Sequence, residues 1–141
     1  MSTIKICILY TALALALACG KKDWPQPIAA EEKLFIDHLE ARRDGNCILL
    51  NVKLGGNLHN LEFFVIELEQ GGCPTCPFVP TSTYTLQPFS KSVLRMENNF
   101  VLTLCPQLPD DPIRLRVSAD NRLDIVDPGV SSVLTLDPIT Q

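Results

Sequence analysis

The chain has 141 residues, of which 46% are hydrophobic and 20% charged, and its formal net charge is -4. That composition fits one globular domain and excludes both a disordered acidic tail and a multidomain enzyme. With 12 Lys and Arg against 16 Asp and Glu, no cationic excess is available to displace counterions from a phosphate backbone, so nucleic acid is not an expected partner.

One cation, Lys5, precedes an apolar run from Ile6 to Ala18. The run has the length of a secretory h-region and is shorter than the roughly 20 apolar residues that cross a bilayer. It ends in Ala16-Leu17-Ala18-Cys19-Gly20, which resembles the lipobox of bacterial lipoproteins, where the cysteine is acylated and becomes the mature N-terminus. The pattern departs from the family at Ala16, where Leu is usual, and Ala16-Leu17-Ala18 also satisfies an ordinary A-x-A cleavage site. Both readings cut before Cys19. Cysteine parity favours the lipobox: once Cys7 leaves with the signal, five cysteines remain, and acylating Cys19 leaves an even four. The resemblance implies a signal peptide over 1–18, a lipidated N-terminus and proline-containing tether over 19–32, and the membrane as a partner through that lipid. Gly20 rather than Asp after the cysteine implies the outer membrane of a bacterial cell envelope. Within the tether, Trp24-Pro25-Gln26-Pro27 favours extended polyproline II at about 3.1 Å per residue.

The remaining segment, 33–141, carries the domain. Residues Ala29 to Arg43 have helix-forming composition, and their apolar positions suit either a short helix or a strand face. A strand over Phe35 to Arg42 is expected, because a sandwich needs its opening strand here. Period-two alternation then marks Ile48 to Leu54, Phe64 to Leu68, Phe100 to Leu104 and Ile113 to Ala119, and more briefly Leu123 with Ile125 and Leu134 with Leu136. Gly55-Gly56-Asn57, Gly71-Gly72, Gln87-Pro88, Pro109 to Pro112 and Asp127-Pro128-Gly129 punctuate these runs as turns. The pattern predicts an all-β antiparallel sandwich of about seven strands.

Ile113-Arg114-Leu115-Arg116-Val117-Ser118-Ala119-Asp120-Asn121 resembles the sixth strand of fibronectin type III domains, and Leu104 to Pro112 resembles the turn before it. Phe64 to Leu68 is similar to the third strand and Val130 to Leu136 to the last. Ile113 stands where the family has Tyr, and no Trp occupies the second strand. The resemblance implies a fibronectin type III-like sandwich acting as an adhesive or spacer module, without a catalytic constellation.

Successive connections in such a sandwich alternate between its two ends, which predicts Cys47, Cys73, Cys76 and Cys105 at one pole. Export to an oxidising compartment favours two structural disulfides among these four. Sequence leaves all three pairings open. Two alternatives use the same residues: a zinc site with Cys47, Cys73, Cys76 and Cys105 as ligands, or a redox-active Cys73-Pro74-Thr75-Cys76. His38 and His59 lack metal spacing and read as surface residues. Glu67 and Glu69 read as a solvated strand face, and Asp110 and Asp111 as loop residues. No G-x-S-x-G, phosphate loop or dinucleotide fingerprint is present. The expectation is a non-enzymatic envelope lipoprotein without a cofactor that meets an unidentified protein or glycan partner.

Overall fold

The structure, a computed structural model, describes residues 30–71 and 73–138. The signal segment 1–18, the lipidation candidate Cys19 and the tether up to residue 29 lie outside the described residues. After a 3-10 turn at Ala30–Glu32, the described residues form nine strands: β1 (Leu34–Asp44), β2 (Cys47–Gly56), β3 (Leu61–Gln70), β4 (Ser82–Leu86), β5 (Val93–Met96), β6 (Asn99–Leu104), β7 (Ile113–Asn121), β8 (Gly129–Val130) and β9 (Leu134–Leu136). One antiparallel sheet is ordered β1-β2-β6-β5, the other β4-β3-β7-β8, with β9 also on β7. Lettered in chain order, with β4 as an added edge strand, these are the A-B-E-D and C-F-G sheets of the immunoglobulin arrangement.

The all-β sandwich expected from the alternation is present, but with nine strands rather than about seven. Two physical causes account for the difference. Strands β4 and β5 run in the same direction, β4 beside β3 and β5 beside β6. Together they take the place of one strand that changes sheets. The last strand is divided because Ser131 intrudes: the Val117 amide donates to Ser131 Oγ at 3.0 Å, so a side chain occupies a ladder position. Leu123 and Ile125, expected as a short strand, lie instead in a turn closed by Val126 N–H donating to the Leu123 carbonyl at 2.8 Å, with Ile125 exposed.

The segment with helical composition is strand β1, and a β-bulge explains its ambiguous pattern. Ile36 pairs with Leu54 but His38 pairs with Lys53, so Asp37 is an extra residue. Leu34 and Ile36 face inward before it, Leu39 and Ala41 after it. The parity change destroys simple alternation while keeping one apolar face.

Inward residues of β2 (Ile48, Leu50, Val52, Leu54) and β6 (Phe100, Leu102, Leu104) meet those of β3 (Phe64, Ile66, Leu68) and β7 (Ile113, Leu115, Val117, Ala119). Burial of each large apolar side chain contributes about 1.5 to 3 kcal/mol before chain entropy is counted. Phe64 and Phe100 join the two sheets edge to face, with ring centroids 5.2 Å apart.

The sheets close on one side where β8 crosses the start of β1. A Cβ on Gly129 would lie 2.8 Å from both the Leu34 carbonyl oxygen and Phe35 Cα. Those contacts are backbone, so no side-chain rotation relieves them. Gly129→Ala is expected to lower stability by roughly 1 to 3 kcal/mol, the range for overpacking. Urea unfolding measures it, and an unchanged midpoint would show that the two edges do not touch.

Candidate functional site

The register of the strands fixes what gathers at each end of the sandwich. At one end the chain enters: Leu34 lies opposite Gly56. There the Glu32 carbonyl accepts Asn121 Nδ2 at 2.8 Å and Asn60 Nδ2 at 3.2 Å, while its carboxylate accepts Asn60 Nδ2 at 2.6 Å. These bonds fix where the N-terminal segment leaves the domain. At the other end Asp44 faces Cys47, Ile48 faces Leu104 and Gln70 faces Ile113. The β1–β2 turn, the β3–β4 connection and the β6–β7 connection therefore share that second end. Ten residues of β2 separate the two ends, a span of about 30 Å at about 3.3 Å per residue.

All four body cysteines sit at this second end, as the alternation of connections predicts. Cys47 is joined to Cys105 and Cys73 to Cys76. The first bridge extends the β2–β6 ladder by one covalent rung beyond the Ile48 and Leu104 pair. The second closes a turn within the β3–β4 connection, which the Cys76 amide also closes by donating to the Cys73 carbonyl at 3.1 Å. With the sulfurs paired two by two, none is a thiolate available to zinc. Among the described residues, no group of three or more His, Cys, Asp and Glu is arranged to hold a metal ion. His38 is exposed beside Glu40, 3.1 Å away, and His59 is exposed in the 3-10 turn Leu58–Asn60 that joins β2 to β3.

Two arginines hold the connections down. Arg43, near the end of β1, donates to the Pro109 carbonyl at 2.9 Å and to the Asp111 carbonyl at 2.5 Å, which anchors the β6–β7 connection. Arg114, on β7, is only 8% exposed. It forms an ion pair with Glu69 on β3 and donates to the Cys76 carbonyl at 2.8 Å and the Pro77 carbonyl at 3.2 Å. Two residues along, Arg116 Nε donates to Glu67 at 2.7 Å. That hydrogen bond holds the Arg116 guanidinium above its usual range, against an opposing effect of burial, and the charge of Glu67 adds to it. Phe78 lies across both guanidinium groups, 5.9 Å from Arg114 and 5.2 Å from Arg116.

These pairs correct one expectation. Glu69 is 6% exposed rather than solvated, because the β3–β4 connection folds back over the outer face of its own sheet and excludes water. Alternation along β3 and β7 places Glu67, Glu69, Arg114 and Arg116 on that face. It cannot show that a loop carrying Pro74, Pro77, Phe78 and Pro80 covers Glu69 and Arg114. Opposite charges at the same register on both strands were the available signal.

Open depressions lie on both outer faces among the described residues. One, of ≈ 560 Å³, crosses the β1-β2-β6 sheet and is lined by Glu40, Arg42, Leu49, Asn51 and Val101. The other, of ≈ 320 Å³, lies on the opposite sheet beside Glu67, Arg116, Ser118, Asp120 and Val130. Asp37, paired with Lys53 at 2.8 Å, is held below its ordinary value of 3.8 by the hydrogen bond and charge of that lysine. Its folded pKa is depressed, so the pair stabilises the fold above that ordinary value and stops doing so on stronger acidification. Among the described residues, no helix is long and apolar enough to cross a membrane.

No family model and no curated protein matches the sequence. Among solved structures, the chain is similar to a DUF3823 family protein from Bacteroides ovatus, with 14% identity and a TM-score of 0.53 over 74% of this chain and 55% of that one. The chain thus spans about half the length of that protein, and the likeness concerns the fold alone.

Proposed function

We propose that this chain is a lipid-anchored protein of the bacterial cell envelope, tethered through Cys19. Its sandwich is a non-enzymatic binding or structural module that holds the disulfide-bearing pole away from the membrane. One observation carries the orientation: the N-terminal segment joins the domain at the end opposite both disulfides, where Glu32 is fixed by Asn60 and Asn121. An anchor on Cys19 then makes the chain's point of attachment proximal and the cysteine pole distal by the length of the strands. A protein or glycan partner approaching from outside meets that pole first. Its three connections are held by the two disulfides and by hydrogen bonds from Arg43 and Arg114 to loop carbonyls, so little ordering entropy is lost on contact. The lipobox resemblance, including Gly20 after the cysteine, supports outer-membrane placement. The even set of paired body cysteines supports an oxidising compartment.

Detergent phase separation of cells expressing the native chain tests the anchor. The native protein is expected in the detergent phase, and Cys19→Ser in the aqueous phase with its fold unchanged. A Cys19→Ser protein that still partitions into detergent would remove the lipid from the account.

A further inference from the structure

We propose that Cys73 and Cys76 form a reversible dithiol–disulfide couple, an exchange site that accepts electrons from a dithiol partner, whereas Cys47–Cys105 is a fixed staple. The two bridges differ in what they join. Cys47–Cys105 ties β2 to β6 across 58 positions, and opening it frees two strands of one sheet. Cys73–Cys76 spans 3 positions and joins no strands. Both of its residues are exposed, so a thiolate from solvent can approach either sulfur, which is the access that exchange requires.

The turn around this bridge is held without it. The Cys76 amide bonds the Cys73 carbonyl, Arg114 holds the Cys76 and Pro77 carbonyls, and Thr81 Oγ1 donates to the Leu68 carbonyl at 3.1 Å behind them. Reduction therefore leaves the two thiols adjacent and able to close again. Two independent non-covalent ties, the Cys76 amide to Cys73 and Arg114 to Cys76 and Pro77, thus hold the turn without the bridge. Thr75 Oγ1 lies 3.5 Å from Cys73 Sγ, which places a hydroxyl donor beside one sulfur and makes Cys73 the favoured leaving group.

The exchange balances as follows. The partner's first thiolate attacks Cys76 Sγ, a mixed disulfide forms, and the Cys73–Cys76 bond breaks with the electron pair on Cys73. The Cys73 thiolate accepts a hydrogen bond from Thr75 and then a proton from water. The partner's second thiol, having lost its proton to water, attacks the partner sulfur in the mixed disulfide and releases Cys76. The partner's dithiol is oxidised to a disulfide, and the Cys73–Cys76 pair is reduced by two electrons. Only the origin of that dithiol rests on the exported placement proposed above.

The test uses purified mature protein, so its failure is distinct from failure of the anchor. The protein is equilibrated without denaturant against graded ratios of reduced to oxidised dithiothreitol, quenched, alkylated and mapped by peptide mass. Alkylation is expected at Cys73 and Cys76 alone. It should disappear on return to oxidised reagent, while the domain stays folded with a thermal midpoint lowered by no more than roughly 8 °C, the loss expected for so short a loop. Opening of both bridges together with unfolding, or a Cys73–Cys76 bridge that resists reduction until denaturant is added, would overturn the proposal. Thr75→Val should slow reduction severalfold at an unchanged midpoint; an unchanged rate would remove Thr75 from the step.

Discussion

Arg114→Met is expected to destabilise the domain by about 3 to 5 kcal/mol, because it strands the Glu69 carboxylate in a site from which water is excluded. The pair is buried on both sides, with side-chain exposures of 9% for Arg114 and 8% for Glu69. Surface ion pairs in water contribute roughly 0 to 1 kcal/mol, so the size of the loss separates the two situations. Arg114 also donates to the carbonyls of Cys76 and Pro77. The variant should therefore loosen the β3–β4 connection before the sheets part, and amide exchange in that connection should rise first. The double variant Arg114→Met with Glu69→Met removes both charges, and apolar replacement of a buried pair is often neutral. It is expected to recover most of the lost stability in urea unfolding, though not the contacts to the loop carbonyls. A single variant that costs less than about 1 kcal/mol would show that the loop does not exclude water from Glu69.

Removing the Cys47–Cys105 bridge by changing both residues to Ala is expected to cost about 4 kcal/mol by the chain-entropy relation for a loop of this length. For a domain of this size that corresponds to a fall in thermal midpoint of roughly 15 °C. The same relation gives about 2 kcal/mol for Cys73–Cys76, because only a short turn is closed. The order matters more than either figure, since engineered and native bridges scatter around the relation. If loss of Cys73–Cys76 destabilises the protein more than loss of Cys47–Cys105, the division into a fixed staple and an accessory bridge is wrong. Calorimetry of the two double variants measures both.

Much of the fold was legible because the inward positions of β2, β3, β6 and β7 alternate without interruption over most of their length. Period two then reports burial on one face directly. Legibility fails where the backbone departs from a flat ladder. The bulge at Asp37 shifts the parity of β1, so Phe35, which shares its sequence parity with Leu39 and Ala41, points outward over Gly55 while those two face the core. Strands β4 and β5 are short edge strands; β4 alternates only over five residues, and β5 exposes Leu94 and Met96 and carries almost no alternation. The gathering of the cysteines at one pole followed from counting reversals of direction. The count was off by one connection, because β4 and β5 run the same way, yet the pole came out the same. The pairing of Cys47 with Cys105 was one of three that sequence permits. It is decided by the β2–β6 register, a tertiary fact. Glu69 reads as solvent-facing because alternation distinguishes the two faces of a sheet but not a bare face from one covered by a returning loop.

The proposed anchor and the oxidised pole meet in a single quantity, the intact mass of the native protein recovered from cells without reductant. The account predicts a chain beginning at Cys19, heavier than its polypeptide by a diacylglyceryl group and an acyl chain. It should be lighter by two hydrogens for each of the two bridges, Cys47–Cys105 and Cys73–Cys76. An uncut chain running from Met1 without lipid, with all its thiols free, would contradict it.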